Sequence, residues 1–169
     1  VADIQIRFVY RYYYRIIANA NVLINGVDGA EGPDSDKKYI KGQALAYRAW
    51  AHFNLVQLWG ERFDAAGAND GLGVPLMLVA TLEGQPRATI AEVYTQINKD
   101  LDQAVVLLTG YAKPNNSHLD LRVAQGLKAR VALVQGNWAI AADFASKARA
   151  GKNLMTITEY GSGFNNYNN

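Results

Sequence analysis

The stretch from Tyr39 to Gly60, YIKGQALAYRAWAHFNLVQLWG, constrains the fold more than any other part of the chain. It contains no proline, and Leu45, Ala49, His52, Phe53 and Val56 recur at three- and four-residue steps, so they share one face of a helix. Ala44, Ala46 and Ala51 let a neighbouring backbone come close. A helix with that pattern is built to be surrounded. Lys41, Arg48 and Gln57 mark a sparse polar side, His52 reads as a hydrogen-bonded interior residue, and the helix is predicted to stop at Trp59. Gly60 can then take the left-handed conformation in which chains often leave a helix.

Four further helices are predicted around it. In the first segment, DIQIRFVYRYYYRIIANANVLIN, the residues Ile4, Phe8, Tyr12, Ile16, Ala20 and Leu23 fall on one stripe, with Asp3 as N-cap and Gly26 as terminator. The tyrosines among them read as packed rings with their hydroxyls turned to partners. A loop over 26–37 follows, with Asp34 or Ser35 capping the central helix. After Gly60, the glycines Gly67, Gly71 and Gly73 exclude a helix, and Val74 to Val79 reads as a short extended element. Thr89 and Glu92 form a capping box. The helix it opens turns Ile90, Val93, Tyr94, Ile97, Leu101, Ala104, Val105 and Leu108 inward and Glu92, Lys99, Asp100 and Asp102 outward. Asp120 caps a helix from Leu121 to Gln135 that carries Val123, Ala124, Leu127, Val131 and Val134 inward. Gly136-Asn137 makes a tight turn into a last helix whose inner face is Trp138, Ala141, Ala142, Ala145 and Ala148. The expected fold class is all-α, about five helices in irregular hairpins with one long loop carrying a short extended element. Its core is expected to rest on Phe53, Ile97, Leu101, Leu127 and Trp138.

Chemistry is sparse. The 17 basic and 15 acidic residues are interspersed and leave a formal charge of +2, so no basic patch points to nucleic acid. With no cysteine there is neither a disulfide scaffold nor a thiolate. His52 and His118 have no nearby partner suited to metal binding or nucleophilic catalysis. The Gly71-Leu72-Gly73 run lacks the strand before it and the Lys-Ser or Lys-Thr after it that a phosphate loop needs. Asp64, Asn69 and Asp70 do not match calcium-loop spacing. Asp100 and Asp102 lie on opposite sides of a helix turn and so could not flank a glycosidic bond. The expectation is therefore no catalytic residue, no metal and no cofactor. No apolar run reaches the ~20 residues of a membrane-spanning helix.

Two resemblances add to this reading. Gly136-Asn137-Trp138, with Ala141, Phe144, Ala145 and Ala148 after it, is similar to the hairpin of a tetratricopeptide repeat. More of the chain resembles the N-terminal half of the SusD/RagB family, through segments in a characteristic order. These are Tyr14-x-x-Ile17-x-x-Ala20-Asn21; Arg48-Ala49-Trp50-Ala51-His52-Phe53-Asn54-Leu55 leading to Trp59-Gly60; Ile90-Ala91-Glu92-Val93-Tyr94-x-x-Ile97-x-x-Asp100-Leu101-x-x-Ala104; and Ala129-Arg130-x-x-Leu133 with Trp138-x-x-Ala141. Gly73-Val74-Pro75-Leu76 also looks like the family's Val-Pro element, displaced here by the insertion ERFDAAGANDGL.

The resemblance implies that residues 1–169 form a single helical N-terminal domain, a fragment of a longer protein. That protein would be a non-enzymatic glycan-binding lipoprotein on the outer face of the outer membrane, tethered only by an N-terminal lipid anchor missing from this chain. It would capture oligosaccharide or polysaccharide and serve a SusC-type TonB-dependent transporter in nutrient uptake, this chain being the helical scaffold that faces the transporter. Sugar contacts in the family come largely from regions outside this chain. Within it the candidates are Trp59, Phe63 and Asn69. The alternative is a tetratricopeptide-type adaptor that binds a peptide.

Overall fold

A computed structural model describes residues 2–162 of the chain. Its axis is helix α2 (Asp34–Trp59), which packs against α1 (Ala2–Gly26), α3 (Ile90–Leu107), α4 (Leu121–Val134) and the short strand β1 (Leu72–Pro75). Gly42, Ala44, Leu45, Ala46, Ala49, Ala51, Phe53 and Leu55 are all buried, so the helix is enclosed on several sides. Small residues make that possible: a methyl group at Gly42 would come within 2.9 Å of Leu108. Pro33 occupies the N-cap position and Asp34 is already helical, so neither Asp34 nor Ser35 caps the helix. Its acidic first turn, Asp34 and Asp36, instead suits the positive end of the helix dipole.

The helix ends at Trp59 as the sequence suggests, but not for the conformational reason expected. Gly60 is extended, with φ −93°, rather than left-handed. What requires glycine is space, since a Cβ would sit 2.6 Å from the Val56 carbonyl oxygen and 3.0 Å from Ile90.

The buried stripe of α1 keeps Ala20 and the half-buried Ile16 of the expected one and is otherwise rotated. Ile4 and Phe8 are 73% and 69% exposed, and Tyr12 and Leu23 are also exposed. Ile17, Ala20 and Asn21 are buried, flanked by half-buried Tyr10, Tyr13, Tyr14 and Ile24. An apolar stripe drawn through isoleucine and phenylalanine misses this face because its rings end in polar tips with work to do. The Tyr14 hydroxyl donates to the Pro75 carbonyl at 2.9 Å, and the Asn21 amide donates to the Met77 carbonyl at 2.9 Å. Asp3 lies inside the first turn and pairs with Arg7 instead of capping. Gly26 remains helical, and the chain leaves through a 3-10 turn, Val27–Gly29.

The extended element is Leu72–Pro75 rather than Val74 to Val79, two residues earlier and shorter than expected; it pairs antiparallel with β2 (Arg87–Thr89), and the ladder is irregular between Leu72 and Pro75. α3 opens with the expected capping box: the Thr89 hydroxyl accepts from the Glu92 N–H at 3.2 Å, and the Glu92 carboxylate accepts from the Thr89 N–H at 2.8 Å. Ile97 and Leu101 lie with Phe53 in one core cluster at no more than 1% exposure, with Leu127 half-buried against them.

Asp120 caps α4 by accepting from the Val123 N–H, and Asn137 caps α5 (Trp138–Arg149) by accepting from the Ile140 N–H. Four inward assignments on this hairpin fail: Ala142 and Ala145, expected on the inner face of α5, are exposed, and so are two larger side chains. Val134 is 38% exposed, and Trp138, expected in the core, is 68% exposed. Trp138 is the first residue of α5, so its indole stands ahead of the helix–helix seam where Ala141 is buried. A short α6 (Ile157–Gly161) with its own capping box lies in the stretch read as irregular. The helical architecture, with its tetratricopeptide-like hairpins, is the all-α class expected.

Candidate functional site

Two groups of residues have the look of a site, and they differ in what their polar atoms have left to offer. The first is internal. Arg48, placed by its spacing on the outer side of α2, is 6% exposed, and Asp100, expected outside α3, is 1% exposed. They face each other across the α2–α3 contact in a two-pronged pair, Nε to Oδ2 and Nη2 to Oδ1, both 2.7 Å. Arg48 also donates to Asn21 Oδ1 at 2.9 Å, and Gln96 donates to Asp100 Oδ1 at 2.7 Å. With both carboxylate oxygens engaged, this network joins α1, α2 and α3 and leaves nothing for a ligand.

His52 lies one turn further along α2, wholly buried, and neither ring nitrogen makes a hydrogen bond of good geometry. Burial first, and then the neighbouring Arg48 charge, push its pKa down from 6.5 to about 3, the Arg48 carbonyl only partly opposing. It is a neutral packing residue, without the hydrogen bond the sequence suggested.

The second group surrounds a cleft of about 910 Å³ between the end of α2 and the start of α5. One wall is the insertion after Gly60, and its shape is set by its own polar groups. Asn69 holds a positive φ of 57°, accepts from the Asp64 N–H at 2.8 Å, and donates to the carbonyls of Asp64 and Gly67 at 2.7 and 2.9 Å. Asp64 Oδ1 accepts from the Ala66 N–H at 2.9 Å, which closes the turn. Arg87 then ties the base of the loop, donating to the carbonyls of Trp59, Leu72 and Gly73 at 2.8, 3.1 and 2.7 Å.

Held this way, the loop sets Phe63 edge-on against Tyr94, ring centres 4.8 Å apart and planes at 63°. Tyr94 is itself buried, which raises its hydroxyl pKa to about 12 and keeps it neutral. Trp138 forms the opposite wall, and Gln57, Glu61, Arg62 and Asp64 supply the polar rim. A smaller cavity of about 390 Å³ continues past Phe63 and Ala65 toward Lys128, which pairs with Asp102.

The three residues singled out from the sequence do not converge. Phe63 lines the cleft. Trp59 packs against the edge of Tyr10, at 5.1 Å and 82°, and belongs to the α1–α2 contact. The Asn69 amide is consumed in shaping the loop. Arg62 and Trp138 were missed as cleft residues. A signal for Trp138 was present in its position directly after the Gly-Asn turn, ahead of the alanine face. Among the described residues no group of three or more His, Cys, Asp and Glu could hold a metal ion, and no helix is long and apolar enough to cross a membrane.

Comparison with known proteins places this architecture. A SusD-like family model, described as starch-binding associating with outer membrane, matches residues 1–133. A SusD-like carbohydrate-binding protein from Bacteroides vulgatus superposes with a TM-score of 0.84 at 31% identity, over 95% of this chain and 35% of its own. A putative sugar-binding protein from the same species gives 0.74 at 33% identity, over 83% and 32%. A SusD superfamily protein from Bacteroides thetaiotaomicron gives 0.78 at 26% identity, over 89% and 34%. The chain thus spans about a third of the length of these structures. No curated protein matches it.

Proposed function

The chain belongs to the SusD-like family, binding proteins rather than enzymes, whose description associates them with the outer membrane; from that premise we propose that it serves in capturing oligosaccharides at the cell surface. The protein holds glycan on the outer face of the outer membrane through a lipid anchor and passes it to a SusC-type TonB-dependent transporter. The helices α1 to α5 are its N-terminal scaffold and the part that meets the transporter. The observation that carries this reading is the agreement with the B. vulgatus carbohydrate-binding protein across 95% of the chain. Three helices joined by a buried ion-pair network make a rigid platform, and the cleft beside α5 has aromatic walls and a polar rim.

Affinity electrophoresis of the full-length protein through gels containing starch and a panel of other soluble polysaccharides tests capture directly. Retardation by at least one is expected, and free migration through all of them would end the proposal. Co-purification with a TonB-dependent transporter from detergent-extracted outer membranes tests the partnership separately. Metabolic incorporation of a labelled fatty acid tests the anchor.

A further inference from the structure

We infer that residues Glu61–Gly71 of the inserted segment and the N-terminal end of α5 together form a saccharide-binding cleft within the helical scaffold, and that its ligand is a short neutral oligosaccharide. The inference rests on glycan capture as proposed above, and adds a contact site in the part of the chain otherwise assigned to support.

Three observations converge on it. The indole of Trp138 is 68% exposed and makes no hydrogen bond or ring contact with any described residue, so a large aromatic surface lines the cleft. The Arg62 guanidinium, on the facing wall, has no hydrogen bond or ion pair among the described residues. Gln57 donates its amide to the Phe53 carbonyl at 3.1 Å, which leaves its side-chain oxygen free to accept. A volume of about 910 Å³ lies within the roughly 300–1,000 Å³ typical of small-ligand sites.

The chemistry of the walls selects the ligand class. A pyranose ring offers an apolar C–H face for Trp138 or Phe63, together with hydroxyls that both accept from Arg62 and donate to Gln57. A lipid would need an enclosed apolar interior, which an open cleft rimmed by Glu61, Arg62 and Asp64 does not provide. A polyanion would meet Glu61 and Asp64, and a cation would meet Arg62. The wall is already ordered, since Asn69, Asp64 and Arg87 fix the loop without a ligand. Binding therefore need not supply the cost of shaping it.

The test uses the full-length protein and its Trp138→Ala and Arg62→Ala variants, titrated calorimetrically with hexaoses of the neutral polysaccharides that retard the wild type. Melting of both variants together with the wild type checks that they fold. Trp138→Ala is expected to weaken a class of binding site by about tenfold, and Arg62→Ala to weaken the same class by a smaller factor. Unchanged titrations in both variants, with the wild type still binding glycan, would overturn this cleft while leaving glycan capture standing. A wild type that no polysaccharide retards removes both readings together. A cleft that takes peptides but no hexaose overturns the assignment of ligand class.

Discussion

Replacing Asp100 by alanine removes one half of the buried pair that joins α2 to α3, and the expected cost follows from what stays behind. Arg48 keeps its guanidinium among α1, α2 and α3 at 6% exposure, but loses two charged hydrogen bonds of 2.7 Å and retains the one to Asn21. An uncompensated charge at such a depth costs about 3–5 kcal/mol, about a fifth or more of the ~5–15 kcal/mol that holds a typical domain together. For a domain of this size each kcal/mol moves the midpoint by about 2–4 °C, so melting should fall by roughly 6–20 °C. The double variant Arg48→Met, Asp100→Leu removes the second charge as well and should recover most of the loss, because a well-packed apolar substitute for a buried pair is often neutral or better. Calorimetric melting of the wild type, Arg48→Met, Asp100→Leu and the double variant closes the cycle, with Asp100→Ala measured beside it. If Asp100→Ala costs less than about 1 kcal/mol, or the double variant is as unstable as the sum of the singles, the pair is not the joint described here.

Other perturbations test other layers. His52 has a pKa of about 3 when folded against 6.5 when exposed, so below pH 6.5 the unfolded chain takes up a proton that the folded chain refuses. Stability should fall by about 1.4 kcal/mol per pH unit there, about 2 kcal/mol by pH 5. Subtracting the denaturation curves of a His52→Met variant isolates this from the carboxylates, and parallel pH dependences would contradict it. Thr89→Ala breaks the capping box and should lower stability by ~1 kcal/mol in urea denaturation. Gly60→Ala should destabilise by about 1–3 kcal/mol, since its methyl group meets the Val56 carbonyl at 2.6 Å. A stabilised Gly60→Ala would instead show a site with room to spare.

How much was legible in the residues depended on distance along the chain. The Thr89–Glu92 box, the Asp120 cap and the end of α2 at Trp59 depend on neighbours within a turn, and local pattern suffices for them. The Arg48–Asp100 pair spans 52 residues. Each partner, taken alone on its helix, looks like an ordinary surface charge, so both were assigned to solvent. The α1 stripe failed for a related reason. Periodicity ranks tyrosine below isoleucine and phenylalanine, yet the tyrosine face could hydrogen-bond β1 and the chain beyond it, as Tyr14 and Asn21 do. Of the candidate site, Phe63 was visible because it follows the helix end in an insertion. Arg62 and Trp138 were not, because their wall exists only once α4 and α5 fold back against the end of α2.

Arg87 grips the carbonyls of Trp59, Leu72 and Gly73, on either side of the inserted segment. One side chain thus bridges both ends of the span, and the intervening positions can change in length or composition without altering how α2 hands over to β1. Closing a longer span adds only about 0.6 kcal/mol for each doubling. Apart from Phe63, which packs on Tyr94, and Asn69 and Gly71, whose carbonyls accept from the Ala91 and Ile90 N–H groups, change at that rim leaves the frame beneath the same.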